Sequence, residues 1–289
     1  MQLANGISAN LQLLDNPGLL NGKMGALIYL YHYSNYSDCS SYSDLADQQL
    51  SALFNMRNKL SLSLSDGMSG IGWGLHYLKR EQFVEVDDDY LEEEEKVIFN
   101  AIRSIVNEDM LDCGLYFVCC RSKLLDEKML SILSNQVTKL LSSGIHSLGV
   151  LNKMIALALR MPPQYIQQWY HLLNDAVIHA IEGKFFRQSD IIICNELINA
   201  SEEIIADSTW NKEHDLCERV IKQRCLQKDF IESAWQYLVF LNGKIKSSCD
   251  MDWVSSIVDE TFYDLNEKDM YLYGGLPAIG LYILMKDTM

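Results

Sequence analysis

Apolar residues along this chain fall into two kinds of stretch that alternate from end to end. In the first kind, glycine precedes a run that is apolar almost all round, as in Gly22–Tyr31 and Gly67–Leu78; Leu151–Leu159 is a similar run. In the second kind, apolar positions return every three or four residues with polar ones between. These stretches are Ser43–Lys59, Tyr90–Asn107, Asp126–Leu141, Pro163–Gly183, Asn211–Leu226 and Met251–Leu265. The second spacing is that of an amphipathic helix with one buried face, and the first that of a helix buried on every side. The one β-looking run, Ile191–Cys194, is flanked by helical sequence and too isolated to build a sheet.

The glycine-led stretches resemble one another. Asn21-Gly22-Lys23-Met24-Gly25 and Asp66-Gly67-Met68-Ser69-Gly70 share Gly-x-x-Gly before an apolar run, and Gly274-Gly275-Leu276-Pro277-Ala278-Ile279-Gly280 repeats the theme with its second glycine displaced. Weaker copies stand at Cys113-Gly114 and Ser143-Gly144. Ile193-Cys194-Asn195 and Ser233-Ala234-Trp235 have the right place and hydrophobicity without the glycine. Buried helices are therefore expected to start near residues 22, 67, 114, 144, 195, 235 and 275, each followed by an amphipathic partner.

The fold this predicts is all-α: about seven helical hairpins in an (α/α) toroid, inner and outer rings, forming a single domain over residues 1–289. A straight solenoid would ask for capping repeats with polar outer faces. The terminal run Gly280–Met285 is as apolar as the others, which favours closure. Only four prolines interrupt the chain, so long helices can run unbroken.

Charge narrows the partners. A formal net charge of −15 repels phosphate backbones, so nucleic acid is not expected as a partner. The run Asp87–Asp89 with Glu92–Glu95 reads as a solvated loop and the first turn of a helix, the other reading being a docking patch for a basic partner. No window reaches the length of apolar sequence a membrane span needs, so no membrane insertion is expected. Eight cysteines without paired spacing, and no signal peptide, point to a reducing cytoplasm.

With Gly18-Leu19-Leu20-Asn21-Gly22-Lys23-Met24-Gly25, Ser65-Asp66-Gly67-Met68-Ser69-Gly70-Ile71-Gly72-Trp73 and Gly274–Gly280 in view, the chain resembles the LanC-like family of lanthionine synthetase C-like cyclases. That resemblance implies the seven-hairpin toroid and a place in the maturation of ribosomally made peptides. Active members of the family hold zinc at the centre of the toroid. The metal activates a peptide cysteine for addition to a dehydrated residue, giving a thioether ring. The family's ligands come from a Trp-Cys pair opening one inner helix and a Cys-His-Gly triplet opening the next.

Here the pattern departs. Cys194 is the only plausible surviving ligand, with Ile193 in place of the Trp, and Ser233-Ala234-Trp235 stands where Cys-His-Gly is expected. Ser143 occupies the position of the family's catalytic His, and Ser63 that of an acid in the second repeat. A catalytic zinc needs about three protein ligands. The expectation is therefore no cofactor and no catalytic residue.

The candidate binding residues at the toroid mouth are Trp73, His146, Cys194, Trp235 and Tyr273. The aromatic ones either line a groove or fill the core, and His146 either reaches the mouth or is satisfied locally. His32 and His76, set among aromatics, read as packing or rim residues.

Three functions stay open. The first is a zinc-free, non-catalytic LanC-like protein that binds a peptide or a peptide-modifying enzyme. The second is an active zinc-dependent cyclase with an atypical metal site. The third is a carbohydrate-active toroid enzyme, against which the lack of a carboxylate pair on inner helices weighs.

Overall fold

A computed structural model describes residues 1–54, 60–87, 89–202, 210–241, 256, 258, 259, 261 and 265–287. Every regular element among them is helical. The chain forms two compact units, one from residues 1–91 with 230–289 and one from residues 92–229.

The first unit holds α1 (Gln2–Asn10), α2 (Lys23–Ser37), α3 (Ser41–Phe54), α4 (Met68–Arg80), α14 (Ala234–Phe240) and α15 (Leu276–Asp287). Helices α14, α15, α2 and α4 pack side by side in that order, and α3 lies against α2. The last glycine-led helix thus sits against the first, as a repeat that closes on itself requires. The glycine-led helices bury accordingly: α2 hides every residue from Met24 to Tyr31.

The glycines are where they are for steric reasons. A Cβ on Gly275 would stand 2.5 Å from the Asp269 carbonyl oxygen, and Cβ atoms on Gly22 and Gly67 would overlap the carbonyls of Asn16 and Ser61. Each carbonyl belongs to the residue six positions earlier, so the three loops wrap onto their helices in one shared shape. The second glycines, Gly25 and Gly70, meet the carbonyls of Leu19 and Leu64 in the same way. Equivalent residues of the three loops are joined in series: Tyr273 N–H donates to the Leu20 carbonyl at 3.1 Å, and Leu20 N–H donates to the Ser65 carbonyl at 2.9 Å. The backbone groups of these loops are satisfied by the repeat itself.

The second unit holds α5 (Glu92–Ser104), α6 (Glu108–Cys120), α7 (Glu127–Leu141), α8 (Leu148–Ala158), α9 (Pro163–Ile166), α10 (Tyr170–Glu182), α11 (Gln188–Glu202) and α12 (Asn211–Arg224), with α13 (Gln227–Glu232) at the chain crossing to the first unit. It is built in two layers. The apolar helices α6, α8 and α11 pack in a row, while α5, α7, α10 and α12 contact one another along a second row. Two polar clusters hold the helices, one between the layers and one within the apolar row. Glu95 of α5 accepts from the Tyr116 hydroxyl and the Arg121 guanidinium, both at 2.6 Å. Lys153 of α8 is buried with its ammonium 2.6 Å from Asp112 and 2.7 Å from Glu108, both on α6.

The helix starts expected near 22, 67, 235 and 275 are observed, and three others move. Helix α6 begins at Glu108, because Asn107 caps it by accepting from Met110 N–H at 3.3 Å. Gly114 is therefore mid-helix, where a Cβ would press on Leu133 at 2.9 Å; it serves close packing instead of a turn. Gly144 lies in the loop before α8, with φ +155° and open space around it, and the helix starts at Leu148. Helix α11 begins at Gln188, where the Asp190 carboxylate accepts from Arg187 N–H at 3.3 Å, so residue 195 is mid-helix. The amphipathic stretch Pro163–Gly183 is two helices, interrupted where Trp169 is fully buried. The expected helix over Met251–Leu265 falls mostly outside the described residues.

Candidate functional site

The loops leading into α2, α4 and α15 meet at one end of the first unit, and besides the buried leucines Leu19, Leu64 and Leu272 they carry polar and aromatic side chains. Asn16 is the hinge between two of them: its Oδ1 accepts from Gly18 N–H at 2.7 Å and its Nδ2 donates to Asp66 Oδ1 at 3.0 Å. Asp66 is thus held by the neighbouring repeat. On the other side, Trp235 opens α14 and Tyr273 precedes α15, with ring centroids 6.1 Å apart and an interplanar angle of 43°. Gly274, at φ +79°, lets the chain turn directly after Tyr273, and the Glu232 side chain lies over it. Trp235 is only 6% exposed and its indole N–H has no acceptor among the described residues, whereas Tyr273 is half-buried. The arrangement offers an aromatic edge bordered by carboxylates.

Trp73 goes elsewhere. It is 3% exposed, in the second turn of α4, and stacks on Tyr77 at 5.2 Å and 16°. Its role is core packing. His146 lies in the loop before α8, half-buried, its ring Nε2 2.7 Å from the Leu140 carbonyl and therefore satisfied within its own turn. Cys194 is fully buried in the middle of α11. The structure brings Trp235 and Tyr273 together; Trp73 belongs to a separate aromatic cluster of the same unit, and His146 and Cys194 sit on different elements of the second unit.

Two groupings were not legible as contacts in the sequence. His32 and Tyr77, 45 residues apart, share a hydrogen bond of 2.6 Å. Phe83 meets the His32 ring edge-on at 4.9 Å, and the Arg80 guanidinium sits over the Tyr77 ring. Burial pushes the His32 imidazole down to about 4, with Glu81 pulling weakly the other way, so the ring is neutral near pH 7. The other grouping is Cys194 of α11 and Cys217 of α12, two fully buried thiols on helices packed against each other. The aromatic neighbours of His32 were a visible signal; for the thiols there was none.

The zinc site that the resemblance implies would have Cys194 as its starting point. Cys194 has Cys217, Asp190 and Glu213 around it, yet no cluster of three metal-binding side chains forms among the described residues. Ser63, Ser143 and Ser233 use their hydroxyls locally. Ser63 Oγ accepts from Asp66 N–H at 3.1 Å, Ser143 Oγ donates to the Leu140 carbonyl at 2.7 Å, and Ser233 Oγ donates to the Phe230 carbonyl at 2.7 Å. Each shapes its own turn.

No helix among the described residues is long and apolar enough to cross a membrane. Compared with known protein families, curated proteins and solved structures, the chain matches none.

Proposed function

We propose that the protein is a non-catalytic LanC-like protein that binds a peptide, or a peptide-modifying enzyme, in the maturation of a ribosomally made peptide. The observation that carries this reading is the repeat-by-repeat wrapping of the loops at Gly22, Gly67 and Gly275, in the same unit as Ser63 and Ser233, whose hydroxyls are spent on their own turns. A loop framework is retained where reactive groups are not. Trp235 and Tyr273 supply apolar contact at this end of the first unit, and the net charge of −15 draws a basic segment by long-range attraction.

The test is titration of the purified protein with a short Lys- and Arg-containing peptide, read by calorimetry at low and high salt. Binding should weaken with salt, because exposed charges are screened beyond about 10 Å at 0.1 M. Tyr273→Ala should weaken it roughly tenfold, the scale of a contact worth about 1.4 kcal/mol. Absence of binding to any peptide, alongside hydrolysis of a glycan, would replace this reading with the carbohydrate-active one.

A further inference from the structure

The loops that lead into α8, α11 and α13 lie side by side in the second unit. Leu148 N–H donates to the Phe185 carbonyl at 2.9 Å, joining the first loop to the second. The Cys225 thiol donates to the Gln188 carbonyl at 3.8 Å, joining the third loop to the start of α11. Each loop exposes a large apolar side chain: Ile145 is 66% exposed, Phe185 42% and Leu226 61%. Residues 142–147, 183–188 and 224–228 also carry Lys184, Arg187, Arg224 and Lys228, all exposed, and no carboxylate. The acids that follow are buried and turned into their own loops. Asp190 accepts from Arg187 N–H at 3.3 Å, and Asp229 accepts from Leu226 N–H at 2.7 Å. A chain of net charge −15 thus has a basic, apolar rim at this place.

The rim includes a strained position. Lys184 sits at φ +61°, in the left-handed turn that closes α10, where its N–H donates to the Ile181 carbonyl at 3.2 Å and Phe185 N–H donates to Ala180 at 2.8 Å. Glycine is the usual residue at that point of such a turn, and a lysine is less stable there. Phe185 is braced against the His179 ring, with centroids 6.1 Å apart. The fold holds a cation and an aromatic ring exposed at one turn.

A complementary surface is carried by the same chain. Between α4 and α5, Glu85, Asp87 and Asp89 are exposed and Tyr90 is 39% exposed. Glu92 and Glu93 follow in the first turn of α5, with Val97 50% exposed one turn on. Lys96 offsets Glu92 and Glu93, at 3.1 and 2.8 Å, so the excess charge lies with Glu85, Asp87 and Asp89. Both surfaces are exposed in the single chain, so neither covers the other within it. Apolar side chains grouped on a surface and bordered by charge mark sites of interaction.

We propose that the rim of Ile145, Phe185 and Leu226, with its lysines and arginines, docks the acidic run between α4 and α5 of a second copy of this chain. Opposite charges set the orientation, and the apolar side chains form the part of the contact from which water is excluded. The contact joins unlike surfaces, so copies associate head to tail. This inference is independent of the peptide-binding reading.

The experiment is sedimentation velocity of the 289-residue chain over a range of concentrations. At about 0.1 M salt, repulsion between the two net charges is screened beyond about 10 Å, whereas at about 1 M the reach falls to about 3 Å and the docking attraction is screened as well. The average mass should rise above that of a single chain with concentration at the lower salt, and association should be roughly tenfold weaker at the higher. Two variants separate the surfaces. Lys184→Glu with Lys228→Glu reverses the rim, and Glu85→Lys with Asp87→Lys reverses the acidic run. All four residues are exposed, and circular dichroism checks that each variant keeps its helices. Each variant alone should remain a single chain, and an equal mixture should associate again, because the reversed rim of one meets the reversed run of the other. Leu226→Ser, which changes no charge, should weaken wild-type association roughly tenfold. The proposal fails if wild type stays a single chain at every concentration, if any of the three variants associates as wild type does, or if the mixture does not associate. A wild type that stays a single chain yet sediments with phosphatidylserine vesicles would assign the rim to a membrane surface instead.

Discussion

Leu272 rests directly on Gly25: a Cβ built on that glycine would lie 2.5 Å from the Leu272 Cβ. The same relation recurs one repeat on, where Leu19 rests on Gly70 with a separation of 2.9 Å. Leu272 and Leu19 each stand three residues before the first glycine of their own repeat. In these two cases a repeat sets its leucine onto the second glycine of the next, and α15, α2 and α4 are spaced by that plug. Close packing of this kind leaves no room for an added methyl group.

Gly70 is the sharpest point at which to test it. A Cβ there meets the Leu64 carbonyl as well as Leu19, backbone on one side and core on the other. Gly70→Ala should lower stability by ~1–3 kcal/mol, and Gly70→Leu by more. Thermal melts compare the two with wild type. An unchanged melting temperature for Gly70→Leu would mean that the helices do not approach as described.

Lys153 gives a prediction about charge. Its ammonium is 11% exposed and Asp112 is 4% exposed, while Glu108 remains 56% exposed. Lys153→Met removes the cation from a buried carboxylate and should cost about 3–5 kcal/mol. Combining it with Asp112→Leu should recover much of that loss, because no buried charge is then left behind. Denaturant titrations of the single and double variants read the difference. A double variant no more stable than Lys153→Met would count against the pairing as the cause.

His32 sets a pH window. Its pKa in the folded chain is about 4 against an ordinary value of 6.5, so between those values the unfolded chain takes up a proton that the folded chain refuses. The contribution to stability is complete above pH 6.5, is lost as pH falls toward 4, and declines no further below that. Its size is on the order of 2 kcal/mol once partial exposure is allowed for. Stability of His32→Gln, followed from pH 7 to 4, should fall less steeply than that of wild type. Parallel curves would show that His32 does not titrate in this window.

For the metal, the expectation concerns content. Protein purified without chelators should carry well under one zinc per chain, and Cys194→Ala should leave that content unchanged. Stoichiometric zinc that vanishes in Cys194→Ala would restore the cyclase reading, since zinc would then be using a ligand set not described above.

The sequence by itself determined that the chain is helical and that glycine-led helices start at residues 22, 67 and 275. Those features rest on short-range causes: the period of the apolar positions, and a loop that must wrap within six residues of its helix. It also placed Trp235 and Tyr273 near helix starts, where they meet. The start of α6 was misplaced because glycine has two uses that look alike in sequence. At Gly67 it admits a tight turn, whereas at Gly114 it admits the Leu133 side chain of a neighbouring helix. Tertiary structure alone decided that Trp73 stacks on Tyr77 inside the first unit and that Lys153 is buried between Asp112 and Glu108. Periodicity tells which face of a helix is buried; which face of which neighbour it meets depends on packing among helices far apart in the chain.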